Sequence, residues 1–114
     1  MSDLPVVQHS ESLEDGVCLQ LQGDIDLNSA PDLRVALMEA DEQRPKRLII
    51  DLGRVPYMDS SGVATLIEAM QRLRKYDGSM VLCGLQPNVR GIFEVSRLDT
   101  VFTLVDDLAA ARAV

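Results

Sequence analysis

The apolar residues between Leu48 and Leu73 change their spacing once, and that change restricts the fold more than any other feature of the chain. Leu48, Ile49, Ile50 and Leu52 form a nearly continuous aliphatic run with β-branched Ile49 and Ile50 at its centre, the pattern of a strand covered on both faces. From Val63 onward the apolar positions are Val63, Leu66, Ile67, Met70 and Leu73, which is helical spacing. Arg72, Arg74 and Lys75 stand where cations complement a helix C-terminus, and Asp77-Gly78 ends the segment. A strand buried on both faces needs neighbours on its edges and helices over its surface. The run therefore predicts the central strand of a mostly parallel α/β sheet.

The flanking sequence extends this pattern. Val6-Val7 opens a short strand and Asp15-Gly16 supplies a turn. Val17, Leu19 and Leu21 then alternate with Cys18, Gln20 and Gln22, as in a strand with one buried face. After Gly23-Asp24-Ile25-Asp26-Leu27, Ser29 reads as an N-cap, with Asp32 completing a capping box and Pro31 tolerated in the first turn. Leu33, Ala36, Leu37 and Ala40 give that helix its buried side, Arg34, Glu39, Asp41 and Glu42 its wet side, and Pro45 its stop. Met80 to Cys83 reads as a further buried strand, and Gly84 to Ser96 as a loop and short helix facing inward through Val89, Ile92 and Phe93, weakened by Gly91. Val101 to Val105 is a last strand, and Asp106 caps an Ala-rich helix.

The expected order is β-β-α-β-α-β-α-β-α. Crossovers are expected to be right-handed, with the first hairpin forming the antiparallel edge. In such sheets the functional loops lie beyond the carboxyl ends of the strands, where the loops starting at Gly23 and Gly53 fall. No repeat or linker-like shift of composition divides the 114 residues, so a single domain over 1–114 is expected.

Charge narrows the partners. A net charge of -7 repels phosphate backbones and anionic headgroups, which argues against nucleic acid and membrane surfaces and favours basic protein partners. Cys18 and Cys83 lie in apolar runs without C-x-x-C or His-rich spacing, so they read as buried free thiols, in keeping with a reducing cytoplasm. The stretch from Met1 to Ser10 lacks the basic and apolar regions of a secretory leader, and no apolar run reaches the ~20 residues of a membrane helix.

The chemistry is concentrated in Asp59-Ser60-Ser61-Gly62, which places small polar residues where the central strand turns into the second helix. A structural reading is capping: Asp59 or Ser60 accepts from first-turn N–H groups, and Gly62 admits a close neighbour. A functional reading begins from the same geometry. A phosphate on a first-turn serine would meet the partial positive charge and unsatisfied donors of a helix N-terminus. It would also add about -1.5 to -2 charges beside Asp59, enough to repel a partner shaped for the neutral serine.

The stretch LIIDLGRVPYMDSSGV, from Leu48 to Val63, resembles the signature of the STAS domains of bacterial anti-sigma factor antagonists, and GDIDLNSAPDLRVAL resembles the first loop and helix of the same family. The likeness in element order runs from about Val6 to Leu108. It implies a phosphoprotein of transcription regulation: the unphosphorylated form captures an anti-sigma factor with serine kinase activity and frees a sigma factor. Phosphorylation of the second serine, here Ser61, releases the partner, and a serine phosphatase resets the switch. It further implies that Asp59, Ser60 and Gly62 shape the partner-binding surface, that Asp26 lies near the phosphorylation site, and that Asp24 matches a more variable acidic position.

The competing chemistries lack their components. His9 is the one histidine, so Ser60 and Ser61 have no evident base, and no G-x-S-x-G elbow is present. The reading is therefore not an enzyme. Asp24, Asp26 and Asp59 could be pooled as a magnesium pocket, but Lys46 and Lys75 are the only lysines and neither sits in a matching loop, so no metal is expected. No phosphate-binding G-x-x-x-x-G-K-[ST] occurs, and no cofactor is expected. The resemblance leaves one rival within the family, an accessory subunit of a lipid-transport ABC system that binds its ATPase constitutively. A transporter tail would need a membrane span before the domain.

Overall fold

A computed structural model describes residues 4–114; Met1 to Asp3, part of the stretch inspected for a leader, lie outside it. The chain runs β1 (Val7–Leu13), β2 (Gly16–Gln22), α1 (Ala30–Glu42), β3 (Arg47–Arg54), α2 (Ser60–Arg74), β4 (Ser79–Cys83) and α3 (Pro87–Val95). A 3-10 turn (Leu98–Thr100), β5 (Thr103–Val105) and α4 (Leu108–Ala113) complete it. The predicted order holds, with the 3-10 turn as an addition. The five strands lie side by side in chain order, β1 antiparallel to β2 and every other neighbour parallel, so the Leu48–Leu52 run does form the central strand.

Pleating splits β3 between two cores. Leu48, Ile50 and Leu52 point to the face covered by α1, α2 and α3, where they join Leu33, Leu37, Leu66, Leu73, Val89 and Phe93. Phe93 meets Phe102 edge-on, with ring centroids 5.5 Å apart at 81°. Ile49 points the other way, into a smaller cluster of Cys18, Val81 and Cys83 under Ala111 of α4. Both cysteines are free and buried, as expected. Burial pushes the Cys83 thiol up to about 12, helped by Asp51, and also raises Cys18.

A polar seam joins α1 to α2. Glu68 of α2 accepts from Arg34 of α1 and from Arg72, each at 2.8 Å, while Tyr76 donates to Asp41 at 3.0 Å and stacks under the Arg44 guanidinium. Exposed pairs of this kind contribute little energy each.

Three details differ from the sequence reading. β1 continues through the polar Gln8–Ser12, because pairing with β2 overrides the absence of apolar alternation. The last strand begins at Thr103, since Val101 closes the 3-10 turn and Phe102 is drawn into the core. The cap of α4 is Asp107, whose carboxylate accepts from Ala110 N–H at 2.9 Å; Asp106 precedes it.

α4 is short, and Arg47 anchors it: Nη1 donates to the carbonyls of Arg112 at 2.8 Å and Val114 at 2.9 Å, and Nη2 pairs with Asp15 at 3.2 Å. Arg47→Met is expected to cost about 1.5–3 kcal/mol through these charge-assisted bonds. It should also make Cys18 and Cys83 react with a thiol reagent measurably faster than in the wild type, as read by mass spectrometry.

Candidate functional site

Past the ends of β2 and β3 the two strands meet once more. Ile25 N–H donates to the Tyr57 carbonyl at 2.9 Å, and Asp59 N–H donates to the Ile25 carbonyl at 3.0 Å, forming an isolated parallel bridge between Ile25 and Met58. Ile25 and Met58 are buried, which fixes both loops to the core. The two segments singled out in the sequence, Asp24–Leu27 and Asp59–Gly62, are thereby held side by side.

Asp59 is the N-cap of α2, in extended conformation. Its carboxylate accepts from Ser61 N–H at 2.9 Å and from the Ser61 hydroxyl, while its carbonyl receives Gly62 and Val63 N–H at 3.2 Å. The Ser61 hydroxyl holds the Asp59 carboxyl below its ordinary value, and the N–H groups of Ser61, Gly62 and Leu27 add to this against a smaller opposing effect of burial. The bond from Asp59 N–H to the Ile25 carbonyl joins the upstream loop directly to the corner. Thr65 Oγ1 donates back to the Ser61 carbonyl at 2.8 Å.

The first-turn donors expected to be free are therefore engaged by Asp59. A group added to Ser61 Oγ would displace the hydroxyl's bond and confront the carboxylate rather than settle into an empty donor nest. Ser60 is exposed and Ser61 half-buried. Gly62 is required sterically: a Cβ there would stand 2.6 Å from Ile25 Cγ2 and 2.8 Å from Met58 Cγ.

Asp26 is placed beside the corner, and its side chain organises the loop. Its Oδ1 accepts from Asn28 N–H at 2.9 Å and Ser29 N–H at 3.2 Å. Ser29 Oγ accepts from Asp26 N–H at 3.0 Å and donates to the Asp24 carbonyl at 2.8 Å. The expected Ser29–Asp32 capping box does not form, because the Ser29 hydroxyl is committed to the loop behind it.

Other candidates lie elsewhere. His9 is exposed on the edge strand β1, opposite Gln20. Lys46 precedes β3 at the far end of the sheet, and Lys75 ends α2. Among the described residues no group of three His, Cys, Asp or Glu could hold a metal ion, and no helix is long and apolar enough to cross a membrane. Sequence reasoning missed two exposed apolar residues flanking the corner, Leu27 at 77% and Tyr57 at 47%. Each belongs to the Ile25–Met58 bridge region, and their adjacency to polar turn residues was the available signal.

Comparison with known proteins gives a consistent result. The model of the STAS domain matches residues 5–111. A Bordetella bronchiseptica protein, BtrV, put forward as an anti-sigma factor antagonist, is 33% identical over 93 residues, covering 82% of this chain and 80% of its own. The anti-sigma-B factor antagonist of Listeria monocytogenes is 30% identical over 98 residues, covering 86% of each. The crystal structure of an anti-sigma factor antagonist from Mycobacterium paratuberculosis superposes with a TM-score of 0.85 at 27% identity, over 92% of this chain and 89% of that one.

Two outcomes follow from the corner's geometry. Gly62→Ala forces a methyl against Ile25 and Met58 and should cost about 1–3 kcal/mol in denaturant unfolding. Because its folded pKa is depressed, Asp59 contributes stability above its unfolded pKa and loses it as pH falls through the folded value. An NMR titration of its carboxyl carbon should show a midpoint below 3.8 in the wild type, rising towards 3.8 in Ser61→Ala, which lacks the hydroxyl donor.

Proposed function

Since the chain belongs to the STAS domain family, we propose that it is an anti-sigma factor antagonist whose binding is gated by phosphorylation of Ser61. The observation that carries this reading is the Ser61 hydroxyl, oriented by the Asp59 carboxylate at the first turn of α2. In its neutral form the corner is satisfied internally, with the Asp59 carboxylate on the Ser61 N–H and hydroxyl and its carbonyl on the Gly62 and Val63 N–H groups. That form is complementary to an anti-sigma factor, and its capture frees a sigma factor.

Phosphoryl transfer from ATP bound to the anti-sigma factor forms a Ser61 Oγ–P bond, breaks the bond from the γ-phosphorus to the bridging oxygen, and releases ADP and the hydroxyl proton. The product brings about -1.5 to -2 charges against Asp59 on a chain already at -7. Repulsion and loss of the hydroxyl's hydrogen bond oppose the bound arrangement, and the partner leaves. A serine phosphatase restores the hydroxyl. Asp26 holds the adjacent loop in register, and Ser60 and Gly62 complete the docking surface. The chain acts by binding and does no catalysis of its own.

The test is a native pull-down with wild-type protein and Ser61→Asp as paired baits. Wild type should retain a small ATPase of the histidine-kinase fold and Ser61→Asp should lose it, while Ser61→Ala should bind and resist phosphorylation. Equal retention of an ABC transporter ATPase by both baits would assign the chain as a constitutive accessory subunit instead. Phosphate on Ser60 of Ser61→Ala would move the modification by one residue.

A further inference from the structure

The outer side of α1 is apolar where a surface helix is ordinarily polar. Pro31, Val35 and Met38 recur at i, i+4 and i+7 on the side opposite the buried Leu33, Leu37 and Ala40, with Val35 43% and Met38 48% exposed. Leu27, at 77%, continues the stripe into the loop before the helix.

This stripe is continuous with the corner. Asp59 N–H donates to the Ile25 carbonyl at 3.0 Å, and Leu27 follows Ile25 by two residues, so the stripe's upper end lies beside the cap of α2. Ser61 and Glu68 are seven residues apart, two helical turns, and so share one side of α2. Glu68 is ion-paired at 2.8 Å with Arg34, the neighbour of Val35 in α1. Ser61 thus lies on the side of α2 that looks towards α1, and serine and stripe open onto one surface.

Resting on the functional reading above, we infer that the α1 stripe Leu27–Pro31–Val35–Met38 is a second contact region for the same anti-sigma factor, extending the docking surface from the phosphorylated corner along α1. Charge states the partner's chemistry. α1 carries Asp32, Glu39, Asp41 and Glu42 and one cation of its own, Arg34, which is tied to Glu68; Asp41 is turned to Tyr76 and Arg72, and the helix remains net acidic. The matching surface is an apolar patch rimmed by lysine or arginine. The two surfaces do different work: the stripe supplies desolvation energy that phosphorylation leaves unchanged, and Ser61 supplies the gate.

The probe is the kinase-fold ATPase that wild type retains and Ser61→Asp loses, purified and titrated by calorimetry. Val35→Glu/Met38→Glu should weaken its binding by about tenfold or more, since hot-spot losses exceed this. The melting temperature should stay near wild type, and Met38→Leu should bind normally. Wild-type affinity in the double variant, with Ser61→Asp still defective, overturns the stripe and leaves the functional reading standing. If no such ATPase is retained, both fall. If sedimentation shows wild-type dimers that the double variant abolishes while ATPase affinity is unchanged, the occupant is a second copy and the assignment is overturned.

Discussion

Two hydrogen bonds made by Ile25 organise the functional end of the molecule. Beyond the last regular pairing of β2 with β3, its N–H reaches Tyr57 and its carbonyl receives Asp59 N–H. Without them the loop after β2 and the loop after β3 would be independent surface segments, each with the freedom that surface loops ordinarily have. With them, the segment from Ile25 to Leu27 is held beside Asp59, and Asp59 in turn fixes the Ser61 hydroxyl and the start of α2. The burial of Ile25 and Met58 behind the bridge makes the arrangement rigid, and Gly62 permits it by leaving room for both side chains.

The corner is small, yet its electrical state is well defined. A carboxylate that receives hydrogen bonds is stabilised as an anion, and the Asp59 carboxylate receives both the N–H and the hydroxyl of Ser61, which hold its pKa below the ordinary value. A second negative group on Ser61 therefore enters a site whose donors are already allocated.

Much of this was legible in the chain. The Leu48–Leu52 run identified the central strand, the spacing from Val63 to Leu73 identified α2, and the Asp59–Gly62 segment marked the corner. Two of the misreadings share a cause: two neighbouring polar groups could fill one role, and only the backbone path decided between them. Ser29 and Asp26 could each serve the start of α1, and the loop bends so that Asp26 holds it while Ser29 bonds backwards. Asp106 and Asp107 are adjacent and identical, and the extended conformation of Asp107 makes it the cap. The polar β1 is a strand only because β2 lies beside it. Isolated apolar residues such as Leu27 and Tyr57 carry no periodic signal, so their exposure emerged only from the packing around them.

The strands stand in the sheet in the same order as in the chain. Each crossover thus steps in one direction, and right-handed steps in one direction put α1, α2 and α3 on a single face. Growth from one edge also has a temporal meaning on the ribosome, where N-terminal segments emerge first. Residues 24–62 emerge before β4, β5 and the Arg47-held α4, but Gln86 and Asn88 at the start of α3 donate to the Gly53 and Pro56 carbonyls, at the end of β3 and in the loop that leads into the corner. The corner is therefore completed only once α3 has emerged, and the segments after it finish the far edge and seal the second face.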